Sequence, residues 1–445
     1  MSPSTPESLR RDLDRLLGEA QAKRLPSVSA AVVRQGELVW SGAVGYADAE
    51  AERESTPETQ YRIGSITKTF TTVAVMQLVE EGKLDLDDPL ERHLPEAGDG
   101  SPTLRRLLSH ASGLQREPPG EMWETHESPS VEQLLADLAR AERVLEPQTK
   151  HHYSHLAFAL LGEVVARGAG RPYREHVGER IIRPLGLTRT TWAPEEPHAQ
   201  GYFVDPYANV LHREAHPDIA GVASAGQLWS TTGDLCRWAA FLAEGRADVL
   251  PAAAVERLWF PHAMWDPETW TLGWGIGLML HRRGDRIFGG HGGAMPGHLA
   301  GVYVDRKSRI GAAALTNSSA GADMDGLAIR LAEAAIEALP EPPQPWRPQP
   351  GPPAELAGAL GRWWSEGAEF LFYWQDGALT SRPAAPAREQ PPSVFARVDE
   401  DLYRVVSGRE QGELLRIVRD EDGAVARMYW ATYPFTRAPE IFGSA

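Results

Sequence analysis

At 445 residues the chain exceeds what one ordinary hydrophobic core organises, and roughly 150 residues per domain gives two or three compact units. Its 61 acidic against 45 basic residues leave a net charge of −16, which repels nucleic acid and anionic membrane surfaces. A single cysteine, Cys236, rules out an internal disulfide, and no run approaches the ~18 apolar residues of a membrane span, so a cytoplasmic soluble protein is expected, with no nucleic-acid or membrane partner.

The first stretch, MSPSTPESLRRDLDRLLGEAQAKR, alternates charge with leucine at helical spacing and holds no apolar h-region, so it reads as neither signal peptide nor anchor. Residues 28–45 are two β-rich runs about a glycine turn, a hairpin that opens a sheet. Gly64 ends the strand-like YRI, and residues 65–81 then run as a helix apolar on most of its circumference, stopping at Gly82 in a capping place. Helical periodicity returns near 131–141, 154–168 and 172–183, and DLCRWAAFL makes Cys236 a small buried residue of an amphipathic helix. Strand-like runs follow at 273–280, 286–290 and 298–316, before DMDGLAIRLAEAAIEAL closes this part as a helix. Strands at both ends with helices between them predict an α+β unit: an antiparallel sheet completed by distant segments, plus an inserted helical layer.

PEPPQPWRPQPGPP, residues 340–353, has eight prolines in fourteen positions and reads as an extended spacer. It divides a first domain, 1–339, from a last one, 354–445. There short β runs and the turns Asp376-Gly377 and Asp422-Gly423 predict a small antiparallel barrel, lipocalin-like or a sandwich. Its Trp363, Trp364, Trp374 and Trp430 are expected to fill the core, because a small all-β module needs large side chains inside.

Ser65 and Lys68 stand three apart at the start of the buried helix, where residues share a face and the amine reaches the hydroxyl. An N-capping serine with an incidental lysine is the plain alternative. Against it, a helix N-terminus disfavours positive charge, and burial with that dipole is how a lysine becomes a base. The chain has 40 arginines and five lysines, and arginine cannot give up its proton, so a base at 68 has to be lysine. The same helix end offers N–H groups to a developing oxyanion.

Two further stretches carry a resemblance: HHYSHLAFALLG from 151 and GGHGGAMPGH from 289. With Ser65 and Lys68 they resemble, in order, the S-x-x-K, Y-x-N and K-T-G or H-[TG]-G motifs of the class C β-lactamase, D-alanyl-D-alanine carboxypeptidase and family VIII carboxylesterase superfamily. The likeness covers about residues 25 to 338. It implies a β-lactamase/DD-peptidase-like sheet flanked by helices and an acyl-enzyme formed on Ser65. Lys68 and the phenol of Tyr153 would activate Ser65 and the deacylating water. His291 would orient Tyr153 or bind substrate. The N–H groups of Ser65 and Ala294 would form the oxyanion hole, and Gly292 and Gly293 would let their strand approach the substrate. No metal or organic cofactor is implied. Without the resemblance, Tyr153 reads as packing and the glycines as a turn. His110, Ser112 and Gly113 read as a helix end and turn supporting the cleft.

The third position of the tyrosine motif, usually asparagine, is His155, whose neutral ring has one donor. That departure favours an ester over an amide or β-lactam. The expected partner is a small-molecule ester, amide or β-lactam-like substrate; alternatives are a D-amino-acid peptidase or amidase, a weak β-lactamase, and a non-catalytic protein that binds peptides or peptidoglycan fragments. A zinc site at His151, His152 and His155 lacks H-E-x-x-H, and Ser224 in VASAGQ lacks the first glycine of an α/β-hydrolase elbow.

Overall fold

The computed structural model describes residues 5–341, 345–388 and 390–440, and the chain divides into two units, Met1–Glu341 and Pro342–Ala445. The first is built on nine antiparallel strands: β1 (Ser27–Arg34), β2 (Glu37–Asp48), β3 (Arg53–Glu54), β4 (Ala263–Met264), β5 (Leu272–Trp274), β6 (Met279–Arg283), β7 (Arg286–Met295), β8 (His298–Asp305) and β9 (Ile310–Thr316). They lie in the order β3-β2-β1-β9-β8-β7-β6-β5-β4. The sheet is therefore completed by distant segments, with Val28 opposite Thr316 and Arg34 opposite Ile310.

Both faces of this sheet are covered, which is why β1 is buried along nearly its whole length, from Ser27 to Val33. Val28, Ala30 and Val32 pack with the leucines of α1 (Glu7–Gln21) and with the C-terminal helix Met324–Ala338. Ala31 and Val33 face the opposite core. That larger core holds α2 (Thr67–Glu80), α3 (His155–Ala169) and α4 (Thr232–Glu244); the helix Met324–Ala338 is α5. Every residue of α2 from Thr67 to Leu78 is buried, and its Phe70 ring stacks on Trp238 of α4 with centroids 3.8 Å apart. The chain leaves α2 through Gly82, whose φ of +69° suits glycine and whose N–H donates to Val79 O.

Some sequence boundaries need correction. The run 273–280 is two strands, because Gly277 turns at φ +66° where a Cβ would lie 1.8 Å from Thr72 Oγ1. The run 298–316 likewise breaks at the Asp305 turn, where Asp305 accepts the Ser308 N–H at 3.0 Å. The 131–141 helix stops at Ala136 and continues as a 3₁₀ turn, Leu138–Arg140. The 172–183 segment is a short helix, Tyr173–Val177, followed by a wide π turn, Gly178–Ile182. Among the described residues no helix is long and apolar enough to cross a membrane.

In the second unit residues 345–353 have no regular structure, and eight strands between Gly361 and Phe435 pair in sequential order. Trp364 and Thr436 exchange backbone bonds of 2.8 and 3.0 Å, which brings the first strand against the end of the last, as in a barrel. Trp363, Phe370, Phe372, Phe395, Trp430 and Phe435 fill the interior. Trp364, expected inside, is only half-buried because it alternates with the inward Trp363, whereas Trp374 shares the face of Phe370 and Phe372 and, half-buried near the strand end, packs against the core. The Asp376-Gly377 turn has φ of +52° and +75°, the pair of left-handed residues that a tight hairpin demands.

Candidate active site

Gly64, at φ +49°, turns the chain into a 3₁₀ turn, Gly64–Ile66, so Ser65 sits two residues before α2 rather than inside it. This turn lies against the backbone of β7. A Cβ on Gly64 would meet Ala294 N at 2.7 Å, and one on Gly293 would meet Ile63 O at 1.9 Å and Ser65 N at 3.3 Å. Two glycines thus bring the amide groups of Ser65 and Ala294 into one neighbourhood.

Lys68, one turn deeper, is fully buried, with Nζ 3.0 Å from Ser65 Oγ and donating to Ala225 O at 2.7 Å. Burial drives its pKa well below the usual lysine range; Glu117 opposes this and Arg116 adds to it. The amine also lies 5.0 Å from the centroid of the Tyr153 ring.

Tyr153 is held from behind. Its ring stacks on His110 at 4.2 Å, and His110 Nδ1 accepts the Ser154 N–H at 3.1 Å. Ser154 in turn caps α3 by accepting the Ala157 N–H at 3.0 Å. Burial pushes the Tyr153 phenol above its ordinary value, against an opposing effect of Ser65. His110, a turn residue at φ +54° as the sequence suggests, also forms the floor under the phenol.

His155 opens α3, and its Nδ1 lies 3.0 Å from the Glu117 carboxylate, so the imidazole in the asparagine position is tied down. Burial brings its pKa to about 4. His291 lies on β7 with its ring 5.4 Å from Trp274 and 6.2 Å from Tyr153. Its Nδ1–H donates to Gly292 O, which leaves Nε2 as an acceptor, buried and without a partner among the described residues. Burial holds it at about 3, so the ring is neutral. The GGHGG segment is strand, not turn.

Ser65, Tyr153, His155, His291, Gly292, Gly293 and Ala294 line one cleft of about 420 Å³, with Lys68 bonded beneath Ser65. Arg116, Trp265, Trp274 and Asp325 line it too, and none of them stands out in the sequence. Asp325 follows the α5 cap residue Asp323 and reads as an ordinary acidic first-turn residue. Of the other candidates, His151 stacks on Trp274 at 4.9 Å, and Ser224 Oγ donates to Phe158 O at 2.9 Å. Among the described residues no three His, Cys, Asp or Glu side chains are grouped to hold a metal.

The sequence profile of the Beta-lactamase family matches residues 13–336, and that of a domain of unknown function, DUF7586, matches residues 352–437. The esterase EstB of Burkholderia gladioli is 34% identical over 219 residues, 45% of this chain and 55% of that protein. A D-aminopeptidase of Brucella ovis is 27% identical over 416 residues, 91% of this chain and 76% of that protein. The crystal structure of a D-stereospecific amidohydrolase from Streptomyces superposes with a TM-score of 0.62 at 29% identity, over 73% of this chain and 98% of that one. The chain spans about half the length of the first curated relatives it matches, between 46% and 56%. Since the first profile runs from within α1 to within α5, the chain belongs to the Beta-lactamase family.

Proposed function

We propose that the chain is a serine hydrolase that forms an acyl-enzyme on Ser65 from an ester or amide carbonyl. The observation that carries this is the 3.0 Å approach of a fully buried lysine amine to the Ser65 hydroxyl. An amine stripped of water beside a hydroxyl serves as its base. As Ser65 Oγ bonds to the carbonyl carbon, its proton passes to Lys68 Nζ, and the N–H groups of Ser65 and Ala294 receive the oxyanion. Tyr153 starts as a phenol, because its burial disfavours the phenolate. It gives its proton to the departing alkoxide or amine and regains one from the Lys68 ammonium. Water then enters by the reverse route and releases the acid. His291 positions Tyr153 or accepts a hydrogen bond from substrate. The chain's groups supply base, acid and oxyanion donors by themselves.

Within this reading the favoured substrate is a carboxylic ester. The side chain in the asparagine position is bound to Glu117 and has little left to offer an amide carbonyl. The relative called an esterase supports this. An amide or D-amino-acid peptide is the second reading, supported by the D-aminopeptidase that aligns with 91% of the chain. We also place the protein in the cytoplasm, in keeping with its one cysteine, buried and with its thiol pushed up to about 12 by burial. Residues 340–353 are proposed as the linker between its domains.

A fluorophosphonate probe tests the assignment: labelling is expected in the native protein and lost in Ser65→Ala. Kinetics on p-nitrophenyl esters, nitrocefin and D-alanyl amides then rank the acyl donors. A folded protein that takes no label and turns over none of these is a binding protein instead.

A further inference from the structure

Building on the serine-hydrolase reading, we propose that Asp325 selects substrates whose acyl part carries a protonated amine, an aminoacyl ester or amide, by accepting that amine inside the cleft. The starting point is how the carboxylate comes to be there. A Cβ on Gly292 would fall 2.5 Å from Asp325 Oδ1, and one on Gly301 of β8 would fall 2.6 Å from Met324 O. Two glycines on neighbouring strands therefore let the first turn of α5 settle onto the sheet. The settling carries Asp325 into the same cleft as Ser65 and Tyr153. The carboxylate is close enough for its charge to act on the Tyr153 phenol.

No cation answers it. Among the described residues Asp325 forms no salt bridge, although Asp234 and Asp305, also largely buried, each pair with an arginine. Its neighbours are the Tyr303 hydroxyl and a second carboxylate, Asp323. Burial foremost, with Asp323 adding to it, raises its pKa to about 7, the mark of an anion whose countercharge is missing. Asp323 is engaged elsewhere, accepting the Gly326 N–H at 2.8 Å.

The second observation concerns the same cleft. His291, one residue before Gly292, keeps an unpartnered Nε2 lone pair while its Nδ1–H is committed to Gly292 O. The two acceptors, one a carboxylate and one a neutral ring nitrogen, belong to opposite faces of β7, since Gly293 points toward Ser65 and Gly292 toward Asp325, and both line the one cleft. An ammonium offers three donors and one positive charge, which fits a carboxylate with no cation beside it in a cleft that also holds a free acceptor. A carboxylate on the substrate would meet repulsion from Asp323 and Asp325 at the same place.

The test compares alanine methyl ester, either enantiomer, with methyl propionate and monomethyl succinate in a pH-stat. The native protein is expected to favour the alanine ester over methyl propionate by about ten- to a hundredfold in kcat/KM, the range of a charged hydrogen bond, and to be slowest on the succinate. In Asp325→Asn the alanine-to-propionate ratio is expected to fall at least tenfold, mainly through KM, and Asp325→Glu is expected to recover part of it. Should Asp325→Asn not fold, the native ratio alone decides, as does the affinity of Ser65→Ala for the two esters by calorimetry. Hydrolysis of all three esters without preference, or an Asp325→Asn ratio equal to the native one, overturns this inference and leaves the hydrolase standing. Absence of fluorophosphonate labelling together with no ester turnover overturns both.

Discussion

Lys68 Nζ is suspended between two oxygens, Ser65 Oγ at 3.0 Å and the Ala225 carbonyl at 2.7 Å, and among the described residues no carboxylate bonds to it. A lysine kept as an ion would have an anion against it; this one has a hydroxyl and a peptide dipole. Lys68→Met keeps the length and the apolar stem while removing the nitrogen. It is expected to lower the rate of Ser65 acylation by about 10²–10⁴-fold with the circular-dichroism spectrum unchanged. Undiminished labelling in that variant contradicts the role given to the amine.

Tyr153 touches its surroundings by ring and hydroxyl separately, and the two can be pulled apart. Tyr153→Phe retains the stack on His110 at 4.2 Å and loses only the oxygen. Turnover is expected to drop by about 10²–10⁴-fold with thermal stability nearly native. His110→Ala removes the floor beneath the ring instead, and is expected to lower both activity and melting temperature. Equal activity in Tyr153→Phe and the native protein speaks against a proton-transferring phenol.

Gly293 tests the backbone contact. Its missing Cβ would lie 1.9 Å from Ile63 O, a backbone atom that cannot step aside without moving Ser65. Gly293→Ala is expected to cost about 1–3 kcal/mol of stability through overpacking. It should also cost about a hundredfold in kcat, the effect of an ångström's misplacement of a nucleophile. Normal kcat in this variant means that the strand does not set the position of the turn.

Acid should unfold the first unit early. His110, His176, His291 and His298 are all buried, and burial lowers the pKa of each; His176 is brought to about 4 and His291 to about 3. Their unfolded values lie near 6.5, so the unfolded chain binds more protons below that pH, and stability present above 6.5 is lost as pH falls toward the folded values. Each such histidine contributes a slope of up to about 1.4 kcal/mol per pH unit in that window. Asp325 and Asp234, whose values are raised, act in the opposite sense and are outnumbered. Urea midpoints at pH 7.5 and pH 5.0 check this, with a lower midpoint expected at pH 5.0. Equal midpoints contradict it.

What was legible in the sequence follows the range of the interaction. Ser65 and Lys68 belong to one turn of chain, so their contact could be read from spacing. Tyr153 and His291 have no local signal and came from the order of motifs in a resemblance. The position of His155 was visible, yet its bond to Glu117 was not, because residue 117 sits in a loop whose path only packing fixes. Asp325 was hidden for a different reason: acidic residues are ordinary at a helix start, and only the absence of side chains at Gly292 and Gly301 carries this one into the cleft. The strand error at 273–280 has the same root, since the turn there answers to Thr72, some two hundred residues away in sequence.

The pairing of β1 with β9 also sets a timetable. A ribosome making this chain finishes Ser27–Arg34 long before it reaches Ile310–Thr316, so one side of the opening hairpin stays unzipped for most of synthesis. Even at the fast end of translation, about 20 residues per second, that interval exceeds ten seconds. Through that time a greasy strand has its peptide groups bare. Nascent-chain holders, or premature association of half-made copies, are the forces that this arrangement invites.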